Sequence, residues 1–330
     1  MYDLGIESAV LKLATEHCQR RMACSDGMDT LIGWRQGVGS TGPRVAGAVI
    51  SKPELRNTWE TAAAGWAKWE HQFSAGLSEV TDVLADMAGI RPGMRVLDLA
   101  CGAGDQTMRV AERVGRDGRV VASDISATML EHLRQNAARA GLQNIETLEC
   151  AADELGGALP PFDAAISRLG LMLFPSPLEA LQAVQRVLKP GARIAALVFT
   201  TPANNPVMAQ PMAILLRHAG KSPPAPGQPG IFALGSDGTL AGLMRHSGLV
   251  DVRTRTVRAP LNLASASEAL EMMQQAFGAY RAVVADLDDA KRSAAWSDVF
   301  QCLKQFETNG VFRTEFEFII GSGAKAGSTG

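Results

Sequence analysis

The chain has 330 residues, of which 46% are hydrophobic and 20% charged, and its formal net charge is -2. This composition is typical of a globular protein with enough apolar side chains for one large core and an appendage. Phosphate backbones are bound by concentrated Lys and Arg, which this chain lacks, so we expect no nucleic-acid partner. No apolar run approaches the roughly 20 residues of a membrane-crossing helix, so we expect no membrane span.

The cysteines exclude two further classes of protein. The chain has five of them, widely spaced and without a Cys-x-x-Cys pair, which indicates neither a metal site nor a disulfide framework. The N-terminus carries Asp3 and Glu7 in place of the basic and then apolar block of a secretory signal. We therefore expect no bound metal and a cytoplasmic location.

The N-terminal part of the chain differs in composition from the rest. The apolar residues from Ile6 to Leu13 could form one amphipathic helix, but the stretch from Gly27 to Pro53 is rich in Gly and Ser and lacks sustained hydrophobic periodicity. We therefore interpret residues 1–52 as a poorly structured extension. Three tryptophans then fall at helical spacing, at Trp59, Trp66 and Trp69. The apolar positions from Val80 to Met87 predict a second amphipathic helix.

Strand and helix signals alternate after these cover helices. Five short apolar runs predict strands, at Val96–Ala100, Val120–Ala122, Ile145–Leu148, Ala164–Ile166 and Ile194–Phe199. Helical patterns separate most of them, at Thr107–Val114, Ala127–Ala140 and Pro177–Leu188. Strands joined through helices form a parallel sheet with right-handed crossovers, so residues 53–200 are predicted to be an α/β core with N-terminal cover helices.

The alternation is interrupted after the fifth strand. Residues 201–248 are rich in Pro and predict a helical insertion, which would overhang the sheet edge where α/β proteins bind ligands. Residues 249–320 then resume the core, with strands at Val250–Val257 and Phe312–Ile320 and a long helix from Ser265 to about Phe306. The Gly/Ser-rich residues 321–330 predict a disordered tail.

The most informative segment joins the first strand to the next helix. Gly102 and Gly104 lie in this turn, where glycine lets the backbone bend tightly and lets a ligand approach closely. The N-terminus of the helix offers unpaired N–H groups and a partial positive charge. Asp124 ends the second strand, about 20 residues further on, where an acid binds ribose hydroxyls in nucleotide-binding α/β folds.

Two cofactors compete for this arrangement. A dinucleotide site favours a third glycine three residues after the second, but Thr107 stands there. Asp105 would also place a negative charge beside a pyrophosphate. S-adenosylmethionine has no phosphate, so neither departure counts against it. A glycine turn beside a solvated Asp, with no ligand at all, is the simplest alternative.

Three stretches together resemble the class I S-adenosylmethionine-dependent methyltransferases: Val96–Gly104 with Asp124, Phe162–Phe174 and Leu188–Arg193. The resemblance runs from about Trp59 to Ile320 and is greatest to the branch that contains the ubiquinone/menaquinone-biosynthesis and other small-molecule methyltransferases. It implies a doubly wound, Rossmann-like sheet of seven mostly parallel strands whose last strand is antiparallel. It also implies S-adenosyl-L-methionine as the cofactor of residues 53–200.

The resemblance assigns roles to particular residues. Gly102 and Gly104 would line the methionine moiety, while the backbone at Ala100 and Cys101 would hold its ammonium group and Asp98 would reinforce that charge. Asp124 would bind the ribose and Ile125 the adenine, and Ser167 would lie beside the sulfonium. The family often has an Asp that reaches the adenine amine after the third strand. Ala151 stands at that position, and Asp153 or a backbone group would serve instead.

The acceptor is predicted to be a small, largely apolar metabolite, because the chain also lacks the Asn/Asp-Pro-Pro-Tyr type of motif found in nucleic-acid amino methyltransferases. Its pocket would be bounded by Phe174, Met208, Met212 and Phe232, and Arg168 is either a clamp for a substrate carboxylate or an ion-paired strand end. No general base, acceptor atom or oligomeric state can be read from the chain. Two other functions stay open: a catalytically silent S-adenosylmethionine-binding regulator or partner, and an NAD(P)-dependent oxidoreductase.

Overall fold

The computed structural model describes residues 12, 14–16, 52–156, 159–224 and 228–327. The predicted extension over residues 1–52 lies almost wholly outside this part of the chain. Among its few described residues, 14–16 are helical and Ala14 is buried in the main core.

A mixed β-sheet forms the centre of the molecule. Its strands among the described residues are β1 Arg95–Leu99, β2 Arg119–Asp124, β3 Ile145–Glu149, β4 Phe162–Arg168, β5 Leu188–Phe199, β6 Val250–Leu263, β7 Glu307–Thr308 and β8 Val311–Ala324. They are ordered β3-β2-β1-β4-β5-β8-β6, with the two-residue β7 paired to β8. Strands β1 to β5 pair in parallel, whereas β8 is antiparallel to both of its long neighbours. The predicted fold class is confirmed.

Helices join and cover the strands. The described ones are α1 Lys52–Met87, α2 Asp105–Val114, α3 Ala127–Arg139, α4 Pro177–Val187, α5 Pro206–Ala219, α6 Thr239–His246, α7 Ala266–Ala276, α8 Gly278–Val284 and α9 Asp289–Leu303. Central strand β1 is apolar on both faces, with Val96 and Leu97 fully buried, as expected of a parallel strand covered on both sides. Because β1 to β5 are parallel, their carboxyl ends meet at one edge, which is where the loops form the site.

The segment before β1 is one 36-residue helix, so the prediction of two helices is wrong. Gly65 and Gly76 lie within it and do not break it. A Cβ at Gly65 would lie 1.9 Å from the carbonyl oxygen of Gln275, and one at Gly76 would lie 2.3 Å from that of Pro260. The two glycines therefore let α1 pack directly against α7 and β6.

The long helix predicted from Ser265 to Phe306 is also wrong, because three helices occupy that stretch. Phe277 separates α7 from α8 with an extended ψ of 89°. Asp288 begins α9, its side chain accepting a hydrogen bond from the Lys291 N–H. These two interruptions turn α8 towards the carboxyl edge of the sheet.

The tail predicted to be disordered from residue 321 is partly wrong. Strand β8 continues to Ala324, pairs with β5 and buries Ser322. The glycines that suggested a linker are packing positions, since a Cβ at Gly321 would lie 2.8 Å from Leu240 of α6 and one at Gly323 would lie 2.9 Å from Leu249. Residues 328–330 lie outside the described part.

The insertion predicted over residues 201–248 contains α5 and α6. Helix α6 packs on β8 as an ordinary layer of the fold, while α5 and residues 228–236 lie at the carboxyl edge of the sheet. In the part of the chain that the structure describes, no helix is long and apolar enough to cross a membrane.

We expect Gly65→Ala to destabilise the protein by about 1–3 kcal/mol, although alanine favours helices over glycine by about 1 kcal/mol. The added methyl group would collide with the Gln275 carbonyl and push α1 away from α7. The matched control is Gly242→Ala in α6, where nothing lies within 4 Å of the added Cβ. Urea unfolding should show Gly242→Ala neutral or stabilising; equal effects of both changes would contradict the close packing of α1.

Candidate cofactor and substrate site

A cavity of about 1600 Å³ opens at the carboxyl edge of the sheet. It is lined by Leu99 at the end of β1, by Asp124 at the end of β2 and by Arg168 at the end of β4. Pockets for single drug-sized ligands measure about 300–1,000 Å³. The cavity is therefore large enough for two molecules side by side.

The turn after β1 forms one wall of the cavity. Ala100 and Gly102 both have a φ of 56°, and Ala100, Cys101 and Gly102 line the cavity as predicted. Gly104 does not line it: with a φ of 102° it faces α3, where a Cβ would lie 2.1 Å from Leu133 Cδ1. The first glycine of the motif thus serves the cavity, and the second serves the packing of α3.

Asp124 is held at the cavity wall by backbone groups. Its Oδ2 accepts from the Gly102 N–H and its Oδ1 from the Ser126 N–H, both at 2.9 Å. Burial raises the pKa of Asp124 to about 6, and these N–H bonds oppose that rise. Ile125 comes directly after it and lines the same wall. Asp124 and Ile125 thus lie beside the glycine turn, and their predicted contacts with a ribose and an adenine stay predictions.

Asp98 lies behind the wall and not on it. Its side chain is fully buried and accepts from the Thr107 hydroxyl at 2.5 Å and from Gln106 Nε2 at 3.4 Å. Burial raises the pKa of Asp98 to about 6, against the hydrogen bond from Thr107. Asp98 is absent from the described lining, so the reinforcement of a ligand ammonium predicted for it would act through a neighbouring group and stays a prediction.

Thr107 departs from the dinucleotide motif, which has a glycine at this position. In the structure it is fully buried and its hydroxyl binds the Asp98 carboxylate. The signal that could have revealed this role is its spacing, because a hydroxyl one turn into α2 lies directly over the preceding strand. Thr107, which replaces the glycine of the dinucleotide motif, is thus a structural partner of Asp98.

The end of β3 forms the opposite wall. Ala151, Ala152 and Asp153 line the cavity, and Asp153 Oδ2 lies 2.7 Å from Lys52 Nζ, which also lies 2.8 Å from Glu154 Oε1. Asp153 is thereby near the position predicted for it, and Lys52 is a wall residue that sequence reasoning missed. Its partners are about 100 residues away in the sequence, so no local pattern indicates the contact.

Arg168 is an ion-paired strand end, as one of its two predicted roles proposed. Its Nη2 lies 2.6 Å from Asp105 Oδ2, and its Nη1 donates to the Thr81 hydroxyl at 2.9 Å. Arg168 nevertheless lines the cavity, so a part in substrate binding stays a prediction. Ser167, predicted beside the sulfonium, is fully buried and does not belong to the described lining. Successive strand residues face opposite sides of a sheet, which explains the difference between the two.

A third carboxylate, which is half-buried, lies on the cover helix. Glu70 accepts a hydrogen bond from Asn136 Nδ2 at 2.7 Å. Burial, reinforced by the neighbouring charge of Asp105, raises the pKa of Glu70 to about 7. The Asn136 bond thereby joins α1 to α3.

The three tryptophans of α1 have different roles. Trp69 is core, 3% exposed, and its Nε1 donates to Gln275 Oε1 at 3.0 Å. Trp59 and Trp66 line the cavity, and Trp66 stacks on Phe73 with ring centroids 5.0 Å apart. The Trp66 Nε1 atom lies 3.4 Å from the point that a Cβ on Gly102 would occupy. A cofactor on the glycine turn would therefore touch Trp66.

The remaining wall is apolar. All four residues predicted for the acceptor pocket line the cavity: Phe174, Met208, Met212 and Phe232. Phe277 and Tyr280 of α8 complete this wall, and the Tyr280 hydroxyl donates to the Met208 carbonyl at 2.7 Å. The sequence pattern predicts α8 as part of the core of the fold and does not indicate this role. A single predicted helix over residues 265–306 could not show that one of its turns faces a ligand.

Titratable groups on the described lining include carboxylates, lysines and an arginine, but no histidine. Among the described residues no group of three or more His, Cys, Asp or Glu side chains is placed to hold a metal ion.

Comparison with known proteins identifies relatives of the central part of this chain. Residues 78–218 match the model of the ubiE/COQ5 methyltransferase family. The predicted family resemblance is confirmed.

The ubiquinone/menaquinone biosynthesis C-methyltransferase UbiE of Haemophilus ducreyi is 33% identical over 155 residues, which are 46% of this chain and 60% of that protein. The enzyme of the same name from Coxiella burnetii is 32% identical over 158 residues, 47% of this chain and 63% of that protein. The chain thus spans somewhat less than two thirds of the curated relatives it matches.

A solved structure shares the fold over a longer stretch. Phosphoethanolamine N-methyltransferase 2 of Haemonchus contortus, in complex with phosphomonomethylethanolamine and S-adenosylhomocysteine, aligns with a TM-score of 0.52. The alignment covers 82% of this chain and 60% of that chain at 15% sequence identity. At this identity the likeness shows the fold alone.

We expect Asp124→Asn to change how stability depends on pH in the ligand-free protein. The pKa of Asp124 is about 6 in the folded protein and about 3.9 in unfolded chains, so its protonation stabilises the fold at low pH, and this stability is lost as the pH rises through 6. Between pH 4.5 and 7 the loss is roughly 2 kcal/mol. Urea unfolding across this range should show a shallower decline for Asp124→Asn, with Asp98 and Glu70 supplying the remainder. An unchanged slope would show that Asp124 is not buried as described.

Proposed function

We propose that this protein is an S-adenosylmethionine-dependent methyltransferase that acts on a small, largely apolar metabolite. The observation that carries the proposal is the cavity itself. One end of the cavity has Asp124 and the Gly102 turn, and the other end has an apolar wall of Phe and Met side chains. Both ends belong to one continuous cavity.

The first end suits S-adenosylmethionine. The Asp124 carboxylate can accept bonds from both ribose hydroxyls while its backbone donors hold it in place, and such charge-assisted bonds are stronger than neutral ones. Ile125 and Asp153 lie where the adenine would follow, and the backbone at Ala100 and Cys101 would receive the ammonium group. The family match over residues 78–218 supports the same cofactor.

A dinucleotide suits this end less well. Its pyrophosphate would lie at the N-terminus of α2, where the carboxylate of Asp105 stands in the first turn. Arg168 already neutralises that carboxylate through their 2.6 Å ion pair. The site therefore offers a phosphate neither a free cation nor the usual glycine after the turn.

Methyl transfer requires little covalent chemistry from the protein. The bound sulfonium supplies an activated methyl group, so the chain needs to hold the acceptor atom in line with it and to exclude water. The apolar wall performs the second task, since Met208 is 2% exposed and Phe232 packs edge-to-face on Phe199 at 6.1 Å. The names of the curated relatives, which are C-methyltransferases, favour a carbon atom as the acceptor.

Calorimetric titration tests the cofactor assignment. We expect binding of S-adenosylmethionine and S-adenosylhomocysteine and no tight binding of NAD. Asp124→Ala should weaken binding by about 30- to 150-fold, because two charge-assisted bonds worth about 2–3 kcal/mol are lost. Asp153→Ala is the matched control and should cost less, since Lys52 holds that carboxylate at the edge of the cavity. Equal effects of the two substitutions would show that the ribose does not lie at Asp124.

The apolar wall is tested by Phe232→Ala. The cavity would lose acceptor contact there, so we expect slower methyl transfer with the affinity for S-adenosylhomocysteine unchanged within about twofold. Mass spectrometry of a metabolite extract incubated with protein and cofactor measures the gain of one methyl group. Phe300→Ala, on α9 and outside the described lining, serves as the control. If Phe232→Ala abolishes cofactor binding and leaves acceptor selectivity unchanged, Phe232 is a structural support only. If the wild-type protein binds the cofactor but methylates no metabolite, it is a catalytically silent binding protein.

A further inference from the structure

The fully buried Asp98 has no direct access to the cavity. Its carboxylate lies beneath the glycine turn, with Thr107 on Oδ2 at 2.5 Å and Gln106 on Oδ1 at 3.4 Å. Since Asp98 does not belong to the described lining, any effect that it has on a ligand passes through a neighbour.

Gln106 is the neighbour that reaches the cavity. Its side chain is 4% exposed and contributes to the wall, whereas Thr107 is fully buried and does not. The Gln106 Nε2 atom donates to Asp98 and also to the Cys101 carbonyl at 3.1 Å. One amide group therefore connects the buried charge to the backbone of the ligand-facing turn.

These two bonds fix the orientation of the amide. With Nε2 turned towards Asp98 and Cys101, Oε1 is the part of the group that these bonds do not use, and it is an acceptor suited to an ammonium group. The turn itself is held at the same residue, because the Cys101 N–H donates to the Ser123 carbonyl at 3.0 Å. Gln106 thus sets both a side-chain acceptor and the position of a backbone carbonyl.

We propose that Gln106 is a positioning residue for the amino-acid end of the cofactor, through which the buried Asp98 acts on that end. The proposal rests on the proposed function. It distinguishes the two ends of the ligand. Gln106 lies in the first turn of α2, next to the turn after β1, whereas Asp124 ends β2 and Ile125 follows it. A defect at Gln106 should therefore be felt by the amino-acid group and not by the nucleoside.

Two ligands separate these effects. S-adenosylhomocysteine carries the amino-acid group, whereas 5′-methylthioadenosine has the same adenine, ribose and thioether without it. Gln106→Met keeps the length of the side chain and removes its polar atoms. Calorimetry on the full chain should show S-adenosylhomocysteine binding about tenfold more weakly, with 5′-methylthioadenosine unchanged within about twofold; tenfold corresponds to about 1.4 kcal/mol, the size of one hydrogen bond to a charged group.

Gln135→Met is the matched control, because Gln135 is exposed on α3 and bonds Glu131 far from the turn. It should leave both affinities unchanged. Thermal unfolding checks that each variant is folded, and Gln106→Leu, which also removes both polar atoms of the side chain, replaces Gln106→Met with the same expectation if the latter does not fold.

The outcomes separate this proposal from the proposed function. If Gln106→Met weakens both ligands equally, the residue merely supports the turn and the proposal is overturned. The proposal is likewise overturned if wild-type protein binds S-adenosylhomocysteine and Gln106→Met binds it equally well, while the proposed function stands. A wild-type protein that binds neither nucleoside overturns both.

Discussion

The hydrogen bond from the Gly102 N–H to the Asp124 carboxylate joins the turn after β1 to the end of β2, and one wall of the cavity depends on it. Asp124 is 8% exposed, and burying a carboxylate is costly unless donors surround it. The Gly102 N–H reaches the Asp124 carboxylate across the gap between β1 and β2, and its φ of 56° is one that glycine adopts without strain. Because glycine has no Cβ, Gly102 also leaves its side of the turn open to the cavity. Charge stabilisation and ligand access therefore come from one residue.

Two carboxylates near this turn, the buried Asp98 and the half-buried Glu70, do not belong to the described lining of the cavity. Asp98 lies beneath the turn and Glu70 above α2, and the pKa of each is raised by burial. Polar side chains from the neighbouring helices bind both of them, Thr107 and Gln106 in one case and Asn136 in the other. Such an arrangement is less stable than an apolar core of the same shape, and it places donors and charge behind a site that must recognise a polar ligand.

Helix α1 determines what can enter the site. Its C-terminal half is tied to α2 by the bidentate pair between Arg109 and Asp82, and its N-terminal residue Lys52 reaches the acids after β3. Between these ends Trp59 and Trp66 cover the cavity. The apolar chamber beyond them is closed by α5, which lies at the end of the segment that matches the methyltransferase family, and by α8, which lies outside it. The matched segment thus contains the glycine turn and Asp124, while part of the apolar wall comes from α8, outside that segment.

The sequence by itself determined the α/β fold, the glycine turn after β1 and the acid at the end of β2, because strand periodicity and turn chemistry are local. The resemblance to methyltransferases also came from the sequence, since it rests on several such local stretches in a fixed order. It also indicated Phe174, Met208, Met212 and Phe232 as members of one wall, since their place after known strands fixes the sheet edge that they approach. Only the tertiary structure decided which polar residues are partners. Packing and the direction of each side chain on its strand or helix determine three such pairs: Lys52 with Asp153, Arg168 with Asp105, and Thr107 with Asp98. The same limit explains Gly65 and Gly321, which suggest flexibility in a linear pattern but are required where another element's atoms occupy the space of a Cβ.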